Sequence, residues 1–352
     1  MLSNFNKIKI GLGIFSGLGI FIFLILFFFY LPVGGSEIEK FFLIEKGKGI
    51  KEIVNSLKKE KLIKSEFAFI VYGVLSGKHK KLQAGCYFLS PSMNIPQIVE
   101  KFFLGDVKKE RITIIEGWNL KDIGFYFENQ GLGGKEELWR SFTGYPSIDY
   151  LRTKEILPLK DFSQDFSFLK DKPKNISLEG YLFPDTYEIH RECKNDLEKI
   201  IRKILKNFNQ KLNPQLKEIK RQNKTIFEIV TMASLIEKEV RTFEDKKLVS
   251  GILWKRLKNN IPLQVDATIT YITGKKTTKI SIEETKIDSF YNTYKYSGLP
   301  LGPICNPGLE SILAAIYPQE SPYWYYLSTP EGETIFNETL EKHNLAKEKY
   351  LR

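Results

Sequence analysis

The segment TMASLIEKEV, Thr231 to Val240, carries two glutamates two residues apart. Its start is marked by Thr225-Ile-Phe-Glu228, which has the spacing of a capping box and predicts a helix from there. Ile226, Val230, Ala233, Glu237 and Val240 then recur at steps of 4, 3, 4 and 3. At 100° per residue Glu237 falls within roughly 40° of Ile226, Val230 and Ala233, on the apolar face. Glu239 falls about 160° away, beside Lys238, where an ordinary surface charge is expected. A carboxyl on an apolar face loses solvation in its charged form, so it tends to keep its proton, and a protonated glutamate near neutral pH is a general acid. The competing expectation is an ion pair with Arg256, which shares the stripe Val249, Ile252, Leu253, Arg256 of the next helix.

Three further segments carry polar groups set among aromatic residues. LEGYLFPDTYEI (Leu178–Ile189) surrounds Glu179 and Asp185 with rings, and LQVDATITY (Leu263–Tyr271) puts Gln264 and Asp266 after a proline-marked turn. YNTYKYSGLPLGPICNPG (Tyr291–Gly308) strings Tyr291, Asn292 and Thr293 ahead of a Gly/Pro-rich loop that also holds Asn306. Aromatic faces combined with amide and hydroxyl tips suit a sugar, which stacks through its ring and hydrogen bonds through its hydroxyls. Nucleophilic chemistry by Cys305 with His343 is disfavoured, because Cys305 sits in a Pro-bounded loop with no helix N-terminus to lower its pKa. The three cysteines, Cys86, Cys193 and Cys305, and the three histidines are isolated in sequence, so no metal-ligand spacing exists and no metal or cofactor is expected.

These residues must be held by a chain of 352 residues that is 42% hydrophobic, with a formal charge of +11 and a pI near 9.2. The basic residues are dispersed and no nucleic-acid-binding motif occurs, which favours an acidic polymer or an anionic membrane surface over nucleic acid. Ile10 to Val33 contains no charged residue. As a helix it would extend about 36 Å, enough to cross a bilayer. Lys7 and Lys9 precede it and Glu37 and Glu39 follow, which predicts a cytoplasmic tail (1–9), one membrane span (10–33) and an outside remainder. The run is long for a signal peptide and lacks a small-x-small cleavage site, so it is expected to be retained. Residues 34–106 then read as strand, helix, helix, strand, helix, with Ser65 as an N-cap. That small unit resembles a LysM-like module, which binds the sugar backbone of cell-wall polymers; the competing expectation is a plain α+β spacer. Residues 107–352 form a larger α+β domain in which the motifs above are concentrated.

In order and spacing, EGYLFPDTY, ASLIEKEV, LQVDATITY, YNTY with GLPLGPICNPG, and FNETLEKHN resemble the endolytic murein transglycosylase (YceG-like) family over essentially the whole chain. One departure is Leu301, where the family usually has proline. The resemblance implies that Glu237, first acid of the Glu-Lys-Glu motif, is catalytic. It implies cleavage of the bond between N-acetylmuramic acid and N-acetylglucosamine without water, leaving a 1,6-anhydro end. It also implies a membrane-anchored enzyme acting on nascent glycan strands, setting their length, with peptidoglycan synthases as partners. Substrate-positioning roles are expected for Glu179, Gln264, Asp266, Tyr291, Asn292 and Asn306. Two rival readings remain at this level: a hydrolase of the same polymer with Asp266, Glu179 or Asp185 as second carboxylate, and a non-catalytic wall-binding scaffold.

Overall fold

The computed structural model describes residues 23, 26–45, 47–106, 109–132, 136–145, 159–174, 176–190, 197–275 and 280–351. It is an α+β chain that divides into two compact units, Met1–Glu110 with Glu188–Glu192, and Arg111–Tyr187 with Cys193–Arg352. Most of the uncharged run, residues 10–22, 24 and 25, lies outside the described residues. Among the described residues no helix is long and apolar enough to cross a membrane.

The first unit contains β1 (Lys40–Ile44), α1 (Ile50–Lys59), α2 (Glu66–Leu75), β2 (Gly85–Leu89) and α3 (Ile95–Leu104). β1 and β2 pair antiparallel, with Phe42 opposite Tyr87 and Ile44 opposite Gly85. Strand alternation turns Phe42 and Ile44 inward, where they meet Val54, Leu57, Phe69, Ile98 and Phe102. Phe102 is the hub: the Tyr87 ring lies edge-on 4.6 Å away and the Phe42 ring stacks at 5.9 Å. Ser65 caps α2 and an Asn94–Gln97 capping box starts α3, so the boundaries follow the local capping chemistry. Residues 26–30 are helical, and Phe29 is buried in this same core with its ring 5.3 Å from that of Tyr72.

β3 (Lys109–Thr113) and β4 (Thr186–His190) pair with each other at the boundaries of the division, and the second unit has α4 (Leu120–Asn129) and α5 (Glu136–Thr143) between them in sequence. It continues through α6 (Leu197–Leu212), α7 (Leu216–Arg221), α8 (Ile226–Glu239), α9 (Phe243–Lys258), α10 (Asp266–Thr273) and α11 (Leu309–Ile316). The antiparallel pair β5 (Tyr325–Ser328) and β6 (Thr334–Asn337) and the helix α12 (Leu340–Tyr350) complete it. α8 starts at the Thr225–Glu228 capping box and is its centre. Every residue from Ile229 to Ile236 is buried, because α9, α10 and α11 surround the helix. A helix enclosed on all sides has no solvent face. The polar Thr231 and Ser234 are accommodated by donating to Phe227 O and Thr231 O.

Candidate active site

Glu237 lies in the last turn of α8, and its side chain is 9% exposed. Its surroundings are not purely apolar, as the periodicity suggested. The backbone N–H of Gly308 donates to Oε2 over 3.0 Å and the Ser311 hydroxyl donates over 2.6 Å, both from the start of α11. The buried Lys246 ammonium of α9 lies 3.6 Å from the same oxygen and 4.0 Å from Glu310. Among the described residues Oε1 takes no hydrogen bond. The carboxyl is thus fixed through one oxygen and free at the other.

Arg256 is not the partner of Glu237. Its guanidinium donates to Trp324 O and Leu263 O and lies over the Tyr325 ring. Glu239 is not a surface charge either. The all-round enclosure of α8 leaves it half-buried, with the Tyr326 hydroxyl donating to it over 2.8 Å, and burial lifts its carboxyl to about 7. A two-faced helical wheel does not represent a helix that is covered on both of those faces.

The loop after β3 supplies a second acid that the sequence motifs passed over. Gly117, at φ +77°, brings the backbone against the Glu237 side chain and accepts a hydrogen bond from Lys238 Nζ at its carbonyl, 3.0 Å away. The neighbouring Glu116 is exposed, and its carboxyl lies against Gly308: a Cβ added there would come within 2.1 Å of Glu116 Oε1. Partial burial and then the charge of Glu237 push the Glu116 carboxyl upward, with Glu310 adding to the rise and Lys246 opposing it. The available signal was the Glu-Gly pair closing a strand in TIIEGW. Gly308, Ser311 and Lys246 left no comparable mark.

The remaining motif residues divide by exposure. Glu179 is 1% exposed and accepts from Leu120 N, Tyr271 Oη and Asn306 Nδ2 at 3.1, 3.0 and 3.1 Å. Burial lifts its carboxyl to about 8 against the pull of those donors. Buried Asn306 braces the Glu116 loop: its N–H and Nδ2 both donate to Trp118 O, its carbonyl accepts from Gly117 N, and its Oδ1 accepts from Leu182 N. Asn292 is also buried and ties its own loop to Thr285 O and Ile287 O. Tyr291 is buried against the Tyr271 ring at 5.2 Å. These four support the loops they belong to: the polar side-chain atoms of Glu179, Asn306 and Asn292 are engaged inside the protein and the Tyr291 ring is covered.

Gln264 and Asp266 do face solvent. Gln264 adopts φ +54°, unusual for a residue with a side chain, and its N–H donates to Thr293 O. Asp266 accepts from the Tyr294 hydroxyl. Tyr181 and Phe183 are buried with Phe208. Asp185 is exposed and accepts from Asn207. Cys305 donates to Ser234 O and burial pushes its thiol well up, which disfavours the nucleophilic thiolate. His343 stacks on Tyr325, and burial lowers it to about 4. Cys86 is free and buried, and Cys193 lies outside the described residues.

A model of the YceG-like family matches residues 42–349. An endolytic murein transglycosylase of Bacillus subtilis (strain 168) is 35% identical over 311 residues, spanning 88% of this chain and 84% of that protein. An endolytic murein transglycosylase of Streptococcus pneumoniae serotype 2 (strain D39 / NCTC 7466) is 31% identical over 323 residues, spanning 86% of this chain and 56% of that longer protein. The crystal structure of a yceG-like protein from Listeria monocytogenes superposes with a TM-score of 0.54 at 29% identity, covering 89% of this chain and all of that one.

Proposed function

The chain belongs to the YceG-like family, and from that premise we propose that it is an endolytic murein transglycosylase whose catalytic acid and base is Glu237. The observation that carries this reading is the one-sided fixation of Glu237: Oε2 holds Gly308 N–H, the Ser311 hydroxyl and the nearby Lys246, while Oε1 is unengaged. Oε1 is therefore the oxygen that delivers the proton. The proton passes to the glycosidic oxygen as the bond from the muramoyl C1 breaks. The donors on Oε2 are already in place when the carboxylate forms, so they need no reorganisation as charge develops. The muramoyl C6 hydroxyl then closes on C1 and returns its proton to Oε1, giving the 1,6-anhydro end. One carboxyl completes the cycle, because an acid that has donated becomes the base.

Glu116 is the second acid of this site. Its exposed carboxyl beside Gly308 offers negative charge to the cation at C1. Trp118, two residues on and partly exposed, leans on the Tyr126 ring 5.4 Å away and provides an aromatic face for a sugar. Gln264 and Asp266 remain substrate-positioning residues in this reading, while Glu179, Asn292 and Asn306 act through the loops they brace. Residues 10–33 anchor the chain in the cell membrane with the N-terminus cytoplasmic, and residues 34–106 serve as a LysM-like module. The substrate is then the nascent glycan strand near the membrane, where cutting sets strand length and peptidoglycan synthases are the natural partners. The test is digestion of purified glycan strands by the wild-type protein and by Glu237→Gln. Equal release of fragments by both would overturn the assignment.

A further inference from the structure

We propose that the exposed face of α2 docks on the anionic lipid surface of the membrane that carries residues 10–33, holding the first unit flat against the bilayer. The proposal rests on the membrane-anchor reading of that run. α2 is apolar on both sides. Ala68, Phe69 and Gly73 face the core, while Phe67, Val74 and Leu75 are 77%, 52% and 73% exposed and Ile70 and Val71 partly so. Phe67, Val74 and Leu75 stand on the outer side at i, i+7 and i+8, and Ile70 and Val71 between them are partly exposed while also packing against the core. A water-facing helix normally sets charged residues there, and Glu66 is the only charge in this one.

The position of the stripe identifies its cover. The uncharged run ends at Val33, and by then the chain is already tied to the unit. Phe29 is buried in the core against Tyr72 of α2, and Gly34 N donates to Pro91 O over 2.9 Å. No slack linker separates the end of the run from the helix. Around Phe29 the other residues of the helical turn, Leu26, Phe27, Phe28 and Tyr30, stay exposed, as lipid-facing groups would. The charges fit as well. From Lys58 to Lys81 the sequence has seven lysines against Glu60 and Glu66. Lys58, Lys59, Lys61 and Lys64 lie exposed before α2, and Lys80 and Lys81 after it. An apolar stripe flanked by lysines suits an interface of acyl chains and anionic headgroups.

The test uses the full chain in vesicles of equal phosphatidylglycerol and phosphatidylcholine, with Cys193→Ser so that buried Cys86 and Cys305 are the remaining native thiols. An environment-sensitive dye is attached through Phe67→Cys or Leu75→Cys, and through Glu52→Cys on the exposed side of α1 as control. Dyes at 67 and 75 should shift to the blue, resist aqueous iodide and lose emission to lipids carrying a nitroxide near the headgroup. The dye at 52 should do none of these, and pure phosphatidylcholine should weaken the effect. If alkaline carbonate strips the protein from the vesicles, the anchor reading fails and the docking falls with it. If the protein resists carbonate yet positions 67 and 75 are as open to iodide as 52, only the docking is overturned. Shielding from iodide without quenching by lipid, lost on dilution, would assign the stripe to a second copy of the chain and likewise overturn it.

Discussion

The backbone N–H of Gly308 donates to Glu237 Oε2 over 3.0 Å, while the missing side chain of Gly308 leaves the space in which the Glu116 carboxyl lies. One residue thus positions both acids. Its φ of −70° and ψ of 170° are open to any residue, so Gly308→Ala is not opposed by the backbone. The added Cβ would collide with the flexible end of Glu116, which must swing away. Turnover should fall about 10- to 100-fold, the scale of a misplaced catalytic group, with the unfolding midpoint nearly unchanged. Full activity in that variant would remove Glu116 from the site.

Glu237→Gln keeps the shape but delivers no proton, and turnover should fall at least about 100-fold. An acid in an apolar surround would stabilise the fold on neutralisation. Here the opposite is expected, because buried Lys246 would lose its nearest acid and keep the exposed Glu310 and the more distant charge of Glu116. A loss of about 1–2 kcal/mol is expected, below the range for a directly hydrogen-bonded buried pair. Denaturant unfolding beside kinetics checks both halves. A variant that unfolds more readily but turns over at the wild-type rate would reduce Glu237 to a structural ion-pair partner.

Glu116→Gln addresses the pH profile. The charged groups around the Glu116 carboxyl are Glu237 from α8, Lys246 from α9 and Glu310 from α11, and the two acids oppose its ionisation. A negative charge beside a carboxyl makes that carboxyl harder to ionise. Glu116→Gln removes a carboxyl whose ionisation is shifted upward, so the limb of kcat/KM that it contributes should disappear. Glu239→Gln, at the Tyr326 side of the helix, should leave that limb in place. An unchanged limb in Glu116→Gln would show that Glu116 does not set it.

Buried acids also set the stability profile. Glu179 and Glu239 titrate at about 8 and about 7 in the fold because of burial, against about 4.3 in an unfolded chain. Between those limits the native state holds protons that the unfolded state has released. Stability is therefore complete below about pH 4 and falls as pH rises through 7 and 8, on account of these two groups. Unfolding free energy measured from pH 5 to 8.5 should decline, and Glu179→Gln should flatten the decline. An identical slope in the variant would remove Glu179 as its source.

What the sequence disclosed follows from what each signal measures. Capping boxes, glycine stops and strand alternation are local, and they located β1, β2, α1 to α3 and the start of α8 closely. The inward turn of Glu237 was legible because the faces of a helix depend only on spacing. Its partners were not, since Gly308, Ser311 and Lys246 come from two other helices and converge through tertiary packing. Glu239 was misassigned because periodicity assumes that the side opposite Glu237 meets solvent, and there Tyr326 of β5 covers it. Glu179 and Asn306 carried polar atoms in aromatic motifs, and only the structure could tell a loop brace from a substrate ligand.

The last prediction concerns the fate of the muramoyl C1. A lyase and a hydrolase would cut the same bond and both would need Glu237, so loss of activity cannot separate them. In the lyase route the C6 hydroxyl attacks C1 and no solvent oxygen enters. That attacker is tethered, and intramolecular attack carries a large effective concentration. In the hydrolase route a second carboxylate activates water. Glu179 is a poor candidate for that task, being buried, lifted to about 8 and engaged by three groups. Glu116 is the better one, because its exposed carboxyl shares Gly308 with Glu237. Digestion of glycan strands in oxygen-18 water followed by mass spectrometry decides. Unlabelled fragments about 18 Da lighter than hydrolysis products are expected, since one water is not added. Labelled reducing ends as the main product would overturn the lyase mechanism, and their disappearance in Glu116→Gln would identify Glu116 as the residue that activates the water.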